Sequence, residues 1–136
     1  MKENLVGALL VTHGNLGSEL LAVAEKIVGG TGHLAAVSIG WHDDVEDSKR
    51  KIKQKLSDLD TGRGVIILTD MFGGTPSNIS MPLLVKGKVE IVTGVNLPMV
   101  VKLASQSGDD SPDELAMKIR DQGKRQISVA SELLGE

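Results

Sequence analysis

Short apolar runs alternate with amphipathic stretches along most of the chain. The apolar runs are nearly continuous and are bounded by glycine or charged residues. This pattern is typical of strands that are covered on both faces of a sheet. The predicted strands span residues 5–12, 34–39, 65–69 and 89–93.

The stretches between these strands repeat apolar residues at helical spacing and carry boundary signals. Gly29 and Gly30 end the first helix, whose predicted buried face includes Ile27 and Val28. Three later helices have start signals. The third has Pro76 in its first turn, the fourth begins at the cap residue Asn96, and the fifth begins at a capping box with proline over residues 111–114. Strands and helices that alternate in this way predict a doubly wound α/β fold, with a parallel four-stranded sheet and helices on both faces. Right-handed crossovers give the strand order 2-1-3-4.

Two places depart from this pattern. Pro82 falls inside the third predicted helix, where it removes a backbone hydrogen bond and should kink the axis. Near the end of the chain, Ile127 and Val129 alternate with polar residues at a period of two. We therefore expect the last helix to break near Gly123 and a short strand to follow, which would need a sheet edge to join.

Composition narrows the class of protein. The chain has 136 residues, of which 40% are hydrophobic and 24% charged, and we expect one globular domain over residues 1–136. A net charge of −3 without a long basic run gives no reason to expect nucleic acid as a partner. The absence of cysteine excludes disulfides and thiolate metal sites and fits a cytoplasmic protein. With one Phe, one Trp and no Tyr, the core must be aliphatic.

The candidate chemistry lies where two predicted strands end. His13 follows the first strand and Asp70 follows the third. The order 2-1-3-4 places these strands side by side, so both side chains should lie at the edge where doubly wound sheets bind ligands. A carboxylate that holds one imidazole nitrogen leaves the other free as a nucleophile. With phosphorus as the electrophile, the product is a phosphohistidine.

Glycine turns beside these two residues suit a phosphoryl group. Gly14 would allow the group to approach the backbone closely, and the N–H groups of Gly73 and Gly74 would bind its charge. Thr75 would add a hydroxyl donor. We expect no metal and no cofactor, because transfer between two imidazoles needs only this neutralisation of charge.

Other readings of the same residues stay open. Asp70 also fits a receiver-like domain that is phosphorylated on aspartate, although such domains need an acidic pair at the end of strand 1. His13, His42 and Asp70 could serve a metal hydrolase, although no close ligand pair such as H-x-H occurs among them. His33 is expected to be solvent-exposed in a loop, and His42 to be a helix-entry residue.

Three motifs carry a family resemblance: "VTHGNLG" at residues 11–17, "LTDMFGGTPSN" at 68–78 and "TGVNLPM" at 93–99. Through them the chain resembles, from end to end, the IIA domain of the mannose/sorbose-family sugar phosphotransferase system. The resemblance implies that His13 accepts phosphate from the phosphohistidine of the carrier HPr and donates it to a IIB component. Asp70 matches the family's supporting aspartate, and Thr75 matches its hydroxyl residue.

The resemblance also implies an assembly. Family members form homodimers by exchanging a C-terminal strand, which would give "QISVA" (residues 126–130) its sheet edge. Membrane IIC and IID components would be indirect partners of a cytoplasmic protein. A phosphocarrier subunit for dihydroxyacetone kinase, or a regulatory carrier without sugar transport, remains an alternative.

Overall fold

The computed structural model describes residues 4–136, in which four strands alternate with six helices. The strands are β1 (Gly7–His13), β2 (Leu34–Ile39), β3 (Val65–Thr69) and β4 (Val89–Thr93). The helices are α1 (Leu16–Val28), α2 (Val45–Leu59), α3 (Thr75–Ser80), α4 (Leu97–Ala104), α5 (Pro112–Arg125) and α6 (Ala130–Leu133). A 3-10 turn, Met81–Leu83, follows α3 directly.

The strands form one parallel sheet in the order β2-β1-β3-β4, as predicted. Val11 on β1 lies opposite Val37 on β2 and Thr69 on β3, and Thr69 lies opposite Thr93 on β4. Since the strands are parallel and in this register, their carboxyl ends meet at one edge of the sheet. The fold is therefore the doubly wound α/β arrangement that the sequence predicts.

The core consists of two aliphatic layers, one on each face of the sheet. Side chains alternate along the strands, so that Leu10 and Leu68 enter one layer while Leu9 and Ile67 enter the other. Helices α1, α4 and α5 cover the first layer, and α2 and α3 cover the second. The buried hydrophobic residues are all aliphatic apart from Met99, in agreement with the shortage of aromatic residues.

Most helix ends follow the predicted signals. Asn96 caps α4 by accepting a hydrogen bond from the Met99 N–H at 3.2 Å, and Ser111 begins α5 with both bonds of a capping box. Helix α3 ends before Pro82, which lies in the 3-10 turn, so the proline ends the α-helix and does not kink it. In α1 the predicted buried face is partly wrong, because Ile27 is 58% exposed.

The end of the chain differs most from the prediction. Helix α5 continues through Gly123 to Arg125, so the predicted break is wrong. Gly123 is buried, and a Cβ there would lie 2.7 Å from the Met99 side chain, so this glycine allows α4 and α5 to pack closely. In the single chain no strand forms over residues 126–129, and α6 follows instead.

The segment after α5 leaves apolar side chains in solvent. Ile127 is 75% exposed and Val129 60%, and in α6 and just beyond it Leu133 and Leu134 are 73% and 69% exposed. Residues 126–136, called the C-terminal tail below, are exposed throughout. Their apolar side chains therefore lie outside both core layers.

No helix in the described part of the chain combines the length and the apolar character needed to cross a bilayer.

Candidate active site

His13 and Asp70 meet at the edge where β1 and β3 end. His13 Nδ1 lies 2.8 Å from Asp70 Oδ2, and the His13 backbone N–H donates to the same oxygen at 3.0 Å. The other carboxylate oxygen accepts a hydrogen bond from the Met71 N–H at 3.1 Å. The imidazole is 25% exposed and the carboxylate 12%. The strand order therefore brings together the two residues that the sequence analysis singled out.

The turn after β1 holds the histidine in place. Thr12 is fully buried, and its hydroxyl oxygen accepts a hydrogen bond from the Gly17 N–H at 2.8 Å. Gly14 has a φ of +53°, which favours glycine, and its N–H donates to the Ile39 carbonyl at the end of β2 at 2.9 Å. The strand and the first turn of α1 are thus tied together on both sides of His13.

The environment of Asp70 keeps the carboxylate ionised. Burial raises the pKa of the Asp70 carboxyl, but hydrogen bonds from the His13 ring and backbone and the attraction of the His13 charge outweigh it, so that the pKa is lowered. An ionised carboxylate only accepts hydrogen bonds, so the proton in this contact belongs to Nδ1. The lone pair of the neutral imidazole is then on Nε2.

The glycine turn after β3 lies beside that nitrogen. Gly73 and Gly74 have φ values of +90° and +83°. A Cβ on Gly74 would lie 3.1 Å from both Cε1 and Nε2 of His13, so only a glycine leaves room around the free nitrogen. Thr75 begins α3 directly after this turn and is exposed. The turn therefore presents backbone next to the side of the imidazole that faces away from Asp70.

An aromatic contact at this edge was missed by the sequence analysis. Trp41, in the turn after β2, stacks on the His13 ring with a centroid distance of 5.4 Å and an interplanar angle of 29°. The Trp41 side chain is otherwise exposed, as the residue is 82% accessible. Phe72, the other aromatic residue of the chain, is 74% exposed in the turn after β3. Trp41 and Phe72 each follow a strand that neighbours β1, and this position in the sequence could have predicted that they lie near His13.

The other two histidines lie apart from this pair. His33 is half-buried and its Nε2 lies 2.9 Å from the Leu103 carbonyl oxygen, so the expectation of an exposed loop histidine is wrong. His42 is exposed in the turn before α2. The cap of α2 is Asp44, whose Oδ1 accepts the Glu46 N–H at 3.1 Å. His42 therefore does not cap the helix.

Within residues 4–136, no group of three or more His, Cys, Asp or Glu side chains is placed to hold a metal ion. The donor set that the metal-hydrolase alternative requires is not assembled in this part of the chain.

Comparison with known proteins places the chain in a family. A family profile described as the PTS system fructose IIA component, EIIA-man, matches residues 7–120. The chain belongs to this family. It is 32% identical over 131 residues to the PTS system mannose-specific EIIAB component of Escherichia coli K12, covering 91% of this chain. It spans only 39% of that relative's length.

Solved structures of phosphotransferase system IIA proteins share the fold. The mannose/sorbose-specific IIA subunit from Enterococcus faecalis is 27% identical, with a TM-score of 0.79 over 92% of this chain and 94% of that one. The phosphotransferase system component EIIA from Streptococcus agalactiae is 23% identical, with a TM-score of 0.83 over 94% of this chain and 99% of that one. The four-stranded sheet and its helices are therefore the fold of family members.

Proposed function

We propose that this protein is a histidine phosphocarrier of a sugar phosphotransferase system. His13 accepts a phosphoryl group from phospho-HPr and passes it to a IIB component. The observation that carries the proposal is the contact of His13 Nδ1 with Asp70, which leaves Nε2 beside a glycine turn. Family membership and the names of the relatives, which are phosphotransferase components, support the same chemistry.

The reaction is an in-line displacement at phosphorus between two imidazoles. The Nε2 lone pair of His13 forms the new P–N bond, and the P–N bond of the donor breaks with its electrons returning to the donor ring. Nδ1 keeps its proton, so the His13 ring becomes cationic as the bond forms. Asp70, 2.8 Å away, balances this charge and fixes the tautomer in which Nε2 is free. Transfer to IIB is the same step in reverse.

The phosphoryl group needs a polar cradle around Nε2. We assign this to the backbone N–H groups of Gly73 and Gly74 and to the hydroxyl of Thr75. Gly14, whose N–H donates to the Ile39 carbonyl, would contribute only room for the group. Backbone N–H groups in turns with positive φ form concave surfaces that favour anions. The close approach of Gly74 to Nε2 supports this assignment, because a side chain there would occupy the position of the phosphoryl oxygens. No metal or cofactor enters the step.

The decisive experiment follows a radiolabelled phosphate from phosphoenolpyruvate through the general PTS phosphotransferase and HPr. Wild-type protein should gain one phosphate that is labile in acid and stable in base. His13→Ala should gain none. The matched control His42→Ala removes an exposed histidine from the same edge of the sheet and should keep the label. A label that survives in His13→Ala, or one that hydroxylamine removes, would assign the phosphate to Asp70 instead.

We also propose that two copies form a homodimer by exchanging their C-terminal tails. In residues 4–136, β4 pairs with β3 on one side, and on its other edge only Val89 is paired, by an isolated antiparallel bridge to Val85. A groove of about 350 Å³ runs between this strand and α5. Its lining is mixed, with apolar side chains that include Ile91 and Met117 beside charged ones such as Glu90 and Arg120. Ile127 and Val129 are exposed and spaced to enter such a groove from one face of a strand.

A further inference from the structure

We propose that Trp41 is a positioning residue for phosphoryl transfer at His13. Its indole holds the plane of the imidazole and stabilises the positive charge that the ring acquires as the P–N bond forms. The inference rests on the proposed function. It concerns a residue that the family motifs in the sequence do not contain, since Trp41 lies outside residues 11–17, 68–78 and 93–99.

The geometry restrains the imidazole on three sides. Asp70 binds the Nδ1 edge at 2.8 Å, and the Gly74 turn borders Cε1 and Nε2, since a Cβ on that glycine would lie 3.1 Å from both atoms. Trp41 covers a face of the ring at a centroid distance of 5.4 Å. Rotation of the imidazole about its bond to Cβ would break the Asp70 contact and the stack together. The three contacts therefore fix the direction of the Nε2 lone pair.

Core packing does not account for Trp41. The residue is 82% exposed, and it belongs to neither of the two core layers. The turn that carries it is closed by its own hydrogen bond, from the Gly40 N–H to the Asp43 carboxylate at 2.7 Å. The aromatic contact that the structure gives this indole is with the His13 ring. A substitution at Trp41 should therefore leave the fold intact.

The stack favours the reacting state over the resting state. Before transfer the imidazole is neutral, with its proton on Nδ1. Once Nε2 has bonded to phosphorus, and the donor ring has recovered the electrons of the broken bond, the His13 ring is formally cationic while its proton stays on Nδ1. The face of an indole attracts a cation more strongly than a neutral ring. Such a differential contact lowers the barrier to transfer, because it strengthens as charge develops.

The test compares Trp41→Leu with Trp41→Phe in rapid-mixing measurements of transfer from phospho-HPr. Leucine keeps apolar bulk but removes the π face, so the rate at saturating phospho-HPr should fall about two- to five-fold, the range of an exposed cation–π contact. Phenylalanine should restore most of that rate, and the half-saturating concentration should change little. A wild-type maximal rate in Trp41→Leu, or a change confined to the half-saturating concentration, would overturn the proposal.

A second measurement uses the unphosphorylated protein. The NMR signals of the His13 ring protons should shift in Trp41→Leu, because they lose the ring current of the indole. Phe72→Leu, which removes the other exposed aromatic residue at this edge, is the matched control and should leave those signals in place. Unshifted His13 signals in Trp41→Leu would show that the two rings do not stack in solution and would overturn the proposal.

The outcomes separate the two proposals. If wild-type His13 takes up no phosphate, the proposed function fails and the role of Trp41 fails with it. If the wild type transfers normally and Trp41→Leu matches it, only the role of Trp41 fails.

Discussion

The carboxyl edge of the sheet and the C-terminal tail differ in where their contacts lie. At the edge, His13 bonds to Asp70 and stacks with Trp41, both within one chain. In the tail, Ile127 and Val129 are 75% and 60% exposed, so their apolar surface has no cover from either core layer. The edge is a site completed by intramolecular packing. The tail carries the alternation of a strand but has no strand partner in its own chain, which the proposed exchange with a second copy would supply.

The largest effect should come from the edge, in Asp70→Asn. The amide can favour the wrong imidazole tautomer and cannot balance the cationic ring. We therefore expect phosphoryl transfer to slow by about a hundred-fold or more, with fold and dimer unchanged. Rapid quench with labelled phospho-HPr measures the rate, and circular dichroism and sedimentation check the structure.

Asp58→Asn is the control for this substitution. Asp58 is an exposed aspartate on α2 whose carboxylate accepts from the Gln54 side chain, so this variant should transfer at the wild-type rate. Transfer at the wild-type rate in Asp70→Asn would show that Asp70 only stabilises its turn. It would contradict the assignment of a catalytic pair to the carboxyl edge.

The next effect should come from the tail. In Ile127→Asp/Val129→Asp, the dimer dissociation constant should rise by at least a hundred-fold, since an exchanged dimer loses the burial of both side chains in both copies and burying one is worth about 1.5–3 kcal/mol. Ser131→Asp, which adds charge at an exposed polar position in the tail, should leave the dissociation constant unchanged. Sedimentation equilibrium decides it. An unaffected dimer would show that subunits associate through another surface, and a wild type that is monomeric would contradict the exchange altogether.

A smaller effect is expected where the tail leaves the domain. A methyl group at Gly123 would lie 2.7 Å from Met99 Cγ and Sδ, so Gly123→Ala should lower the free energy of unfolding by about 1–3 kcal/mol. Gly108→Ala is the control, because a Cβ there comes no closer than 3.7 Å to the Asp110 carboxylate. Urea denaturation measures both. Stabilisation by Gly123→Ala would mean that α4 and α5 pack loosely enough to accept alanine, a better helix former.

The smallest effect concerns pH at the edge. Because folding lowers the pKa of Asp70, the carboxylate contributes stability that is present above its unfolded pKa, near 3.9, and is lost as pH falls through the lower folded value. The stability difference between wild type and Asp70→Asn should therefore narrow as pH falls below about 4. Denaturant titrations across this range test it. A difference that stays constant down to the most acidic pH would contradict the shift.

The sequence predicted the sheet and the main pair because both follow from strand order. Once strands 1 and 3 are neighbours, His13 and Asp70 must leave the same edge, whatever the loops do. The contact of Trp41 with His13 was not predicted, because it depends on the conformation of the turn after β2. That turn is closed by a hydrogen bond from the Gly40 N–H to Asp43, and hydrophobic periodicity does not predict turn conformation.

The predicted helix break at Gly123 was wrong for a different physical reason. Glycine in a helical pattern often marks a break. Here it allows close contact with Met99 on another helix, and such a contact cannot be predicted from residue spacing along the chain. The alternation of Ile127 and Val129 was noticed, but in one chain no strand forms from it and α6 follows these residues.

The stack of Trp41 on His13 also gives the protein an intrinsic optical reporter. Trp41 is the only tryptophan and there is no tyrosine, so near-ultraviolet emission comes from one indole. That indole lies 5.4 Å from the His13 ring, centre to centre. Under the proposed function, this ring alternates between a neutral and a phosphorylated imidazole, so the emission of Trp41 should change with each transfer. Fluorescence would then follow the occupancy of His13 in real time, without a label.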